Sequence, residues 1–390
     1  MRLTSIILFI VLGFNAFSAN HDARYIKLKK EYTFKPDGSY TLNYEHKLEH
    51  KTYHSFHRLF GENFIVYNPQ FQSLKINRMQ TTMANGKVII GPENAHNEVL
   101  PSWAANSGAY NHMREMVVTH TGLEIGAIVD LSYTIESQPS TLGFTQIMEP
   151  LRISMPVDEF ELVFNVPDSI VFTISEKITK FKPVITNQDG IQTYKFLFTN
   201  LPATEQFGII DQSFVPHIIA QTGTKTFVDF LAIIDKTENS SSQITNDQMD
   251  VIIDIQNEVT KIKTIPVPIE YQLFPVQNPE VTIRRNSGTP LEKTLVFQKW
   301  LAEKGIPSKI AFKIPESLFD ENLSTFLPTT EILLVVQINN SPVAFSPVRM
   351  HKNNLLDNQG YVYVVKSDEG FRSISEKTTK NIKSTVSGST

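Results

Sequence analysis

Apolar residues recur at every second position through much of the first half of this chain, and that period restricts the fold more than any other feature. Val129, Leu131, Tyr133 and Ile135 alternate with Asp130, Ser132 and Thr134. Phe160, Leu162, Phe164 and Val166 are spaced in the same way, as are Tyr194, Phe196 and Phe198. Successive side chains of an extended chain point to opposite faces, so a period of two makes a strand with one buried face. Pro36-Asp37-Gly38, Asn85-Gly86 and Asp189-Gly190 are turn sequences that separate such runs. Many short strands between turns predict an antiparallel β-sandwich from about residue 22 to 212. Phe227 to Ile234 reads as one more strand.

The pattern then changes. Residues 236–246 are rich in Ser, Thr and Asn and read as a linker. Met249, Ile252, Ile253, Ile255, Val259 and Ile262 follow helical spacing, with Asp247 as a first-turn acid and Pro266 as a stop. The strongest local signal comes next. Thr289 is placed to cap a helix, Pro290 suits its first position, and Glu292 completes a capping box. Leu291, Leu295, Val296, Trp300 and Leu301 give that helix an apolar face. Lys304, Gly305 and Pro307 mark its end. A hairpin is expected from Ile332 to Ile338, turning at Asn339-Asn340 and returning through Val343 to Phe345. The expected fold is therefore multidomain α+β. Its parts are a β-sandwich domain over 20–235, a linker over 236–246, an α/β domain over 247–365 and a disordered tail over 366–390.

The first 19 residues read as a signal peptide. Met1-Arg2 supplies a positive start, Ile6 to Phe14 a short apolar core, and Ala16-Phe17-Ser18 small residues for cleavage. A buried N-terminal strand or helix is the competing reading. No stretch has the roughly 20 apolar residues a membrane span needs, so no stable membrane span is expected. The chain contains no cysteine. An exported chain without disulfides suits a bacterial envelope, so the expected location is the periplasm or cell surface of a Gram-negative bacterium. Net charge is −4 with no basic block, which argues against nucleic acid as a partner.

The stretches Gly61 to Pro69 (GENFIVYNP), Pro92 to Pro101 (PENAHNEVLP) and Met116 to Glu124 (MVVTHTGLE) resemble a bacterial domain of unknown function. That domain is usually fused ahead of a transglutaminase-like core. The resemblance implies a β-sandwich for the first half and no activity. The second half resembles the transglutaminase-like (papain-like) α/β core itself. That family places a Gly-Asp-Cys-Lys-Asp-Lys segment at the start of a helix ending Gly-Ile-Pro-Ala. Here the segment reads Gly288-Thr289-Pro290-Leu291-Glu292-Lys293, and the helix ends Gly305-Ile306-Pro307-Ser308. Pro290 stands at the nucleophile's position. The resemblance puts Glu331 near the family histidine and Ser346, in Phe345-Ser346-Pro347, at its aspartate. No histidine occurs between His217 and His351. All three catalytic positions are thus degenerate, and thiol acyl transfer is excluded because the attacking species is a thiolate.

Other constellations have a plainer reading beside the functional one. His46, His50, His54 and His57 crowd one segment. Residues four apart on a strand lie roughly 13 Å apart, too far to share an ion, so a polar strand face running into a loop is the expectation and no metal is assigned. Ser287 precedes the helix, but no neighbouring base is evident. His96, His112 and His120, with Glu98, Glu115 and Glu124, could do acid–base work or simply pack loops. Tyr67, Trp103 and Tyr110 could form a platform for a peptide or sugar. The candidate binding residues are therefore Tyr67, His96, Glu98, Trp103, Tyr110 and His120. No cofactor is implied. The leading expectation is a non-catalytic binding or scaffolding protein for a peptide, glycan or envelope protein. The alternatives are a hydrolase or metal-dependent enzyme using the His and Glu set, and an accessory subunit of an envelope complex.

Overall fold

The computed structural model describes residues 21–374, apart from 106, 205–214, 236–247, 273–275, 325, 340, 351–354, 358–359 and 368–369. The expected signal peptide, the linker, the first-turn acid Asp247 and the last sixteen residues of the expected tail lie outside the described residues.

The first half is built on one eight-stranded sheet. In spatial order its strands are Val184–Gln188, Ile191–Leu201, Val157–Pro167, Ala23–Phe34, Tyr40–His50, Ile128–Ser137, Gln72–Thr82 and Val88–Ile90. The period-two residues face inward as expected. Asp189 (φ 53°) and Gly190 (φ 78°) turn one hairpin in the left-handed region, the backbone that such a two-residue turn demands. The expectation of a purely antiparallel arrangement is corrected, because the sheet is mixed. Ala23–Phe34 runs parallel to Val157–Pro167, with Leu28 opposite Phe160 and Tyr32 opposite Phe164. Periodicity fixes which face is buried but carries no information on strand direction.

Two three-stranded sheets form the second layer. One holds Glu62–Tyr67, Arg114–Thr119 and His96–Val99; the other holds Phe172–Ile174, His217–Thr222 and Gln146–Pro150. Ile65 and Val118 of the first pack on Leu131 and Ile135. Ile147 and Ile218 of the second pack on Phe160, Phe164, Phe196 and Phe198. Leu42 touches both clusters, so the two small sheets share one face of the large one.

The second half is α/β. An antiparallel five-stranded sheet runs Ser341–Phe345, Glu331–Ile338, Lys309–Pro315, Tyr361–Ser367, Gly370–Ile374. The expected hairpin is its first pair, with Asn339 at φ 48° in the turn. Helices Met249–Lys261 and Pro290–Ala302 cover one face, where Ile252, Val259, Leu291 and Phe297 meet Phe312 and Leu334. The first of these helices ends five residues short of Pro266, and its first-turn acid is Asp250. Two expectations fail here. Phe227–Ile234 is a helix, opened by a reciprocal Thr226–Asp229 capping box, and its Phe230, Leu231 and Ile234 belong to this second core. Seven apolar residues out of eight satisfy either period, so the local cap and the packing decide. The expected disordered tail begins too early, since Gly370–Ile374 pairs with Tyr361–Ser367 at the sheet edge. Backbone pairing there outweighs a polar composition.

The halves are joined at three places. Leu142 and Phe144 enter the second core. Tyr110 and Met113, with Trp103, pack on Ile265, Val267 and Tyr271. Ile178 and Ile219 pack on Leu318 and Leu323. No helix among the described residues is long and apolar enough to cross a membrane.

Candidate binding clefts around the helix tip

The helix Pro290–Ala302 starts as its sequence demands. Thr289 Oγ1 accepts from the Glu292 amide at 3.2 Å, and the Thr289 amide donates to Glu292 Oε2 at 2.8 Å. The other Glu292 oxygen accepts from the Gln277 backbone and side-chain amides, both at 3.1 Å. The Tyr110 hydroxyl approaches it at 3.5 Å. Glu292 is fully buried, and its lone pairs are taken by these donors. Lys293, next along, is also fully buried. It donates to the Ile262 carbonyl at 2.8 Å and to Thr264 Oγ1 at 2.9 Å, and burial pushes its ammonium pKa down to about 8. A helix N-terminus normally offers free donors and positive potential. Here the Glu292 amide is taken by Thr289 Oγ1 and the Lys293 amide by the Thr289 carbonyl.

A cleft of about 360 Å³ lies beside this tip, walled by Pro290, Glu331, Arg349, Ile269, Thr329 and Thr330, among others. The structure thus brings Pro290 and Glu331 together. Glu331 Oε2 is paired with Arg349 Nη2 at 2.9 Å and lies 3.9 Å from Lys313 Nζ, while its other oxygen is buried without a hydrogen bond. Ser346 does not join the cleft wall. It is fully buried, its hydroxyl accepts from the Val348 amide at 3.3 Å, and its carbonyl accepts from Gln256 Nε2 at 2.9 Å. The two hydroxyls on the wall are committed as donors, Thr329 to the Phe326 carbonyl and Thr330 to the Lys313 carbonyl. Among the described residues, the wall therefore presents no nucleophile hydrogen-bonded to a base.

A larger cleft of about 500 Å³ opens between the two halves. Tyr40, Tyr133, Phe64 and Phe71 line it from the first half; Tyr271, Glu270 and Phe326 line it from the second. The segments 269–271 and 326–330 contribute to both clefts, so they form the partition between them. Sequence reasoning missed this site. Its rings come from distant strands and loops, and no local pattern links them.

The six candidate residues of the first half do not converge. Tyr67 donates a very short hydrogen bond to Glu98, which lies 3.8 Å from Arg114. Burial, and then Glu98, push the Tyr67 phenol up to about 12. His120 Nε2 is 2.7 Å from Asn63 Oδ1, and burial holds its pKa down near 4. His96 has a buried Nδ1 with no partner. Trp103 and Tyr110 do not form an exposed platform. Trp103 is half-buried and stacks on Tyr271 with ring centroids 5.7 Å apart, while Tyr110 is 1% exposed. They are the cement between the halves.

The four clustered histidines also separate. His46 and His50 are buried within a strand and bonded to Tyr44 and Ser55, while His54 and His57 are exposed in the following turn. Burial lowers the His46 pKa to about 3, so the ring stays neutral. Among the described residues, no three His, Cys, Asp or Glu side chains are grouped to hold a metal ion.

Comparison with known proteins gives a partial match to this arrangement. Residues 57–205 match the family described as a domain of unknown function with solved structure, DUF3857. No curated protein sequence matches the chain. The crystal structure of a candidate protease from Parabacteroides distasonis is similar at 27% sequence identity and a TM-score of 0.77. That likeness covers 91% of this chain and 71% of the other. Residues 57–205 thus resemble the DUF3857 domain, and over 91% of the chain the fold is similar to that of the Parabacteroides protein.

Proposed function

We propose that this is an exported binding protein of the bacterial envelope, built on a transglutaminase-like core that has lost its catalytic triad. One observation carries the reading. A cleft lies beside the helix tip, yet a proline stands on its wall and, among the described residues, nothing there pairs an attacking group with a proton acceptor. The similarity to a candidate protease makes the cleft a natural seat for a polypeptide. The lack of any cysteine removes thiol chemistry from that seat. Selection for binding alone accounts for a helix start whose Glu292 amide is capped internally by Thr289, because an active tip leaves such donors available to the reacting group. Two clefts on either side of one partition suit an extended chain better than a compact molecule.

The test is turnover and binding measured on the same preparation. Protein lacking residues 1–19 is incubated with a panel of fluorogenic peptide amides and esters, and peptide binding is followed by calorimetry. Saturable binding without turnover above the buffer rate is expected. Turnover that Glu331→Gln removes would overturn the proposal, because it would place working chemistry in the cleft.

A further inference from the structure

We propose that the larger cleft between the halves receives a basic side chain, the ammonium or guanidinium of a lysine or arginine in a bound peptide. This deepens the binding reading above and rests on it. The walls decide the ligand's chemistry. Eight aromatic rings line the cleft, with Tyr40, Phe64, Phe71, Tyr133 and Tyr271 among them. The face of an aromatic ring is electron-rich, and a cation within about 6 Å of its centre is attracted to it. Among the described residues that line the cleft, the one formally charged side chain is Glu270, with no Lys, Arg, His or Asp beside it. Glu270 is exposed by surface area yet desolvated enough by the surrounding wall that its carboxyl pKa is raised, and no described cation is paired with it, so a bound cation would stabilise its charged form.

Three ligand classes can be compared on these walls. An anion would meet a carboxylate and the negative faces of the rings. A purely apolar group would fill the space but leave Glu270 without a new partner. An organic cation on an apolar stem satisfies both: its methylenes lie against the rings while its head meets Glu270. The volume of about 500 Å³ is within the range of ligand sites, and larger than one side chain requires, so the flanking peptide backbone also fits. The chain can continue past the 269–271 partition toward Pro290. On the opposite side, Tyr40, Phe71, Gln72, Ser137, Gln138 and Pro139 also border a third hollow of about 390 Å³.

The experiment uses four blocked tripeptides, acetyl-Ala-Xaa-Ala-amide, with Lys, Arg, norleucine or Glu in the middle. Affinities are measured by calorimetry on the protein without residues 1–19, at low and at moderate salt. The Lys and Arg peptides are expected to bind at least ten-fold more tightly than the norleucine and Glu peptides, with the ratio shrinking as salt rises. Glu270→Gln and Phe71→Ala are each expected to weaken the Lys peptide at least five-fold. Both residues are exposed, so unchanged melting curves should show that the fold is intact. Equal affinity for the norleucine peptide, no binding of the basic peptides, or a Glu270→Gln variant that binds as wild type would each overturn the proposal. If basic peptides fail but other peptides bind without turnover, the binding reading stands alone. If a peptide is cleaved, the non-catalytic reading falls and the affinity ratio still decides the cation proposal.

Discussion

Lys293 follows the capping box of the Pro290–Ala302 helix and has no exposed surface, yet it carries an ammonium. Desolvation is the cause of its lowered pKa, about 8 against an ordinary 10.5. A group that binds its proton more weakly when folded penalises folding wherever both states are protonated, which here is below about pH 8. As pH rises from about 8 to 10.5, the folded amine is neutral while the unfolded one stays charged, so stability should rise through that window. Urea unfolding of wild type and Lys293→Met across it checks this: the wild-type stability should climb relative to the variant, and a constant difference would refute the assignment. Five residues earlier, Gly288 is required by close approach. A Cβ there would sit 2.7 Å from the Thr282 methyl, which is fully buried. Gly288→Ala should therefore lower stability by about 1–3 kcal/mol in the same assay. The identities of both residues were legible in the sequence. Their burial was not, because it depends on strands and loops that arrive from elsewhere in the chain.

Elements differ in how far their neighbours in sequence specify them. Pro290–Ala302 carries its own start and stop signals, and the structure follows them to the residue at its first turn. Phe227–Ile234 reads as a strand from its apolar run, but it is a helix whose start is closed by the Thr226 amide donating to Asp229 at 2.8 Å. Its helical face matters for the second core. Phe230 is fully buried, stacked on Phe326 with centroids 4.7 Å apart and edge-on to Phe312. Phe230→Ala should cost about 3–5 kcal/mol, read from the urea midpoint, because the surrounding rings cannot collapse into the space. A strand lying on the surface would lose far less. The edge strand Gly370–Ile374 shows the opposite failure. Its polar sequence suggests a loose tail, but an unpaired edge of Tyr361–Ser367 supplies backbone partners that any sequence can use.

At the scale of the molecule, the two halves share buried surface at three seams, and the aromatic seam closes over the helix tip. Tyr110 and Glu292 meet across 182 positions of sequence. Seams of this kind should make the halves unfold together. Wild type is expected to melt in one calorimetric transition. Trp103→Ala removes the stack on Tyr271 and should lower stability by about 2 kcal/mol, splitting the transition or broadening it. A single sharp transition at the wild-type temperature would show that Trp103 does not join the halves.

What the sequence determined by itself was local or compositional. Strand faces, turn glycines, helix caps, the hairpin at Asn339 and the absence of a thiol each depend on a few neighbouring residues or on a simple count. Such features survive in any fold the chain adopts. What only the tertiary structure decided was relational: the parallel pairing of Ala23–Phe34 with Val157–Pro167, the gathering of Pro290 with Glu331 while Ser346 stays apart, and the assembly of an aromatic cleft from both halves. These juxtapositions join segments more than a hundred residues apart or turn on how one loop enters a wall. Side-chain periodicity records which face of a segment is buried, but not which distant segment buries it.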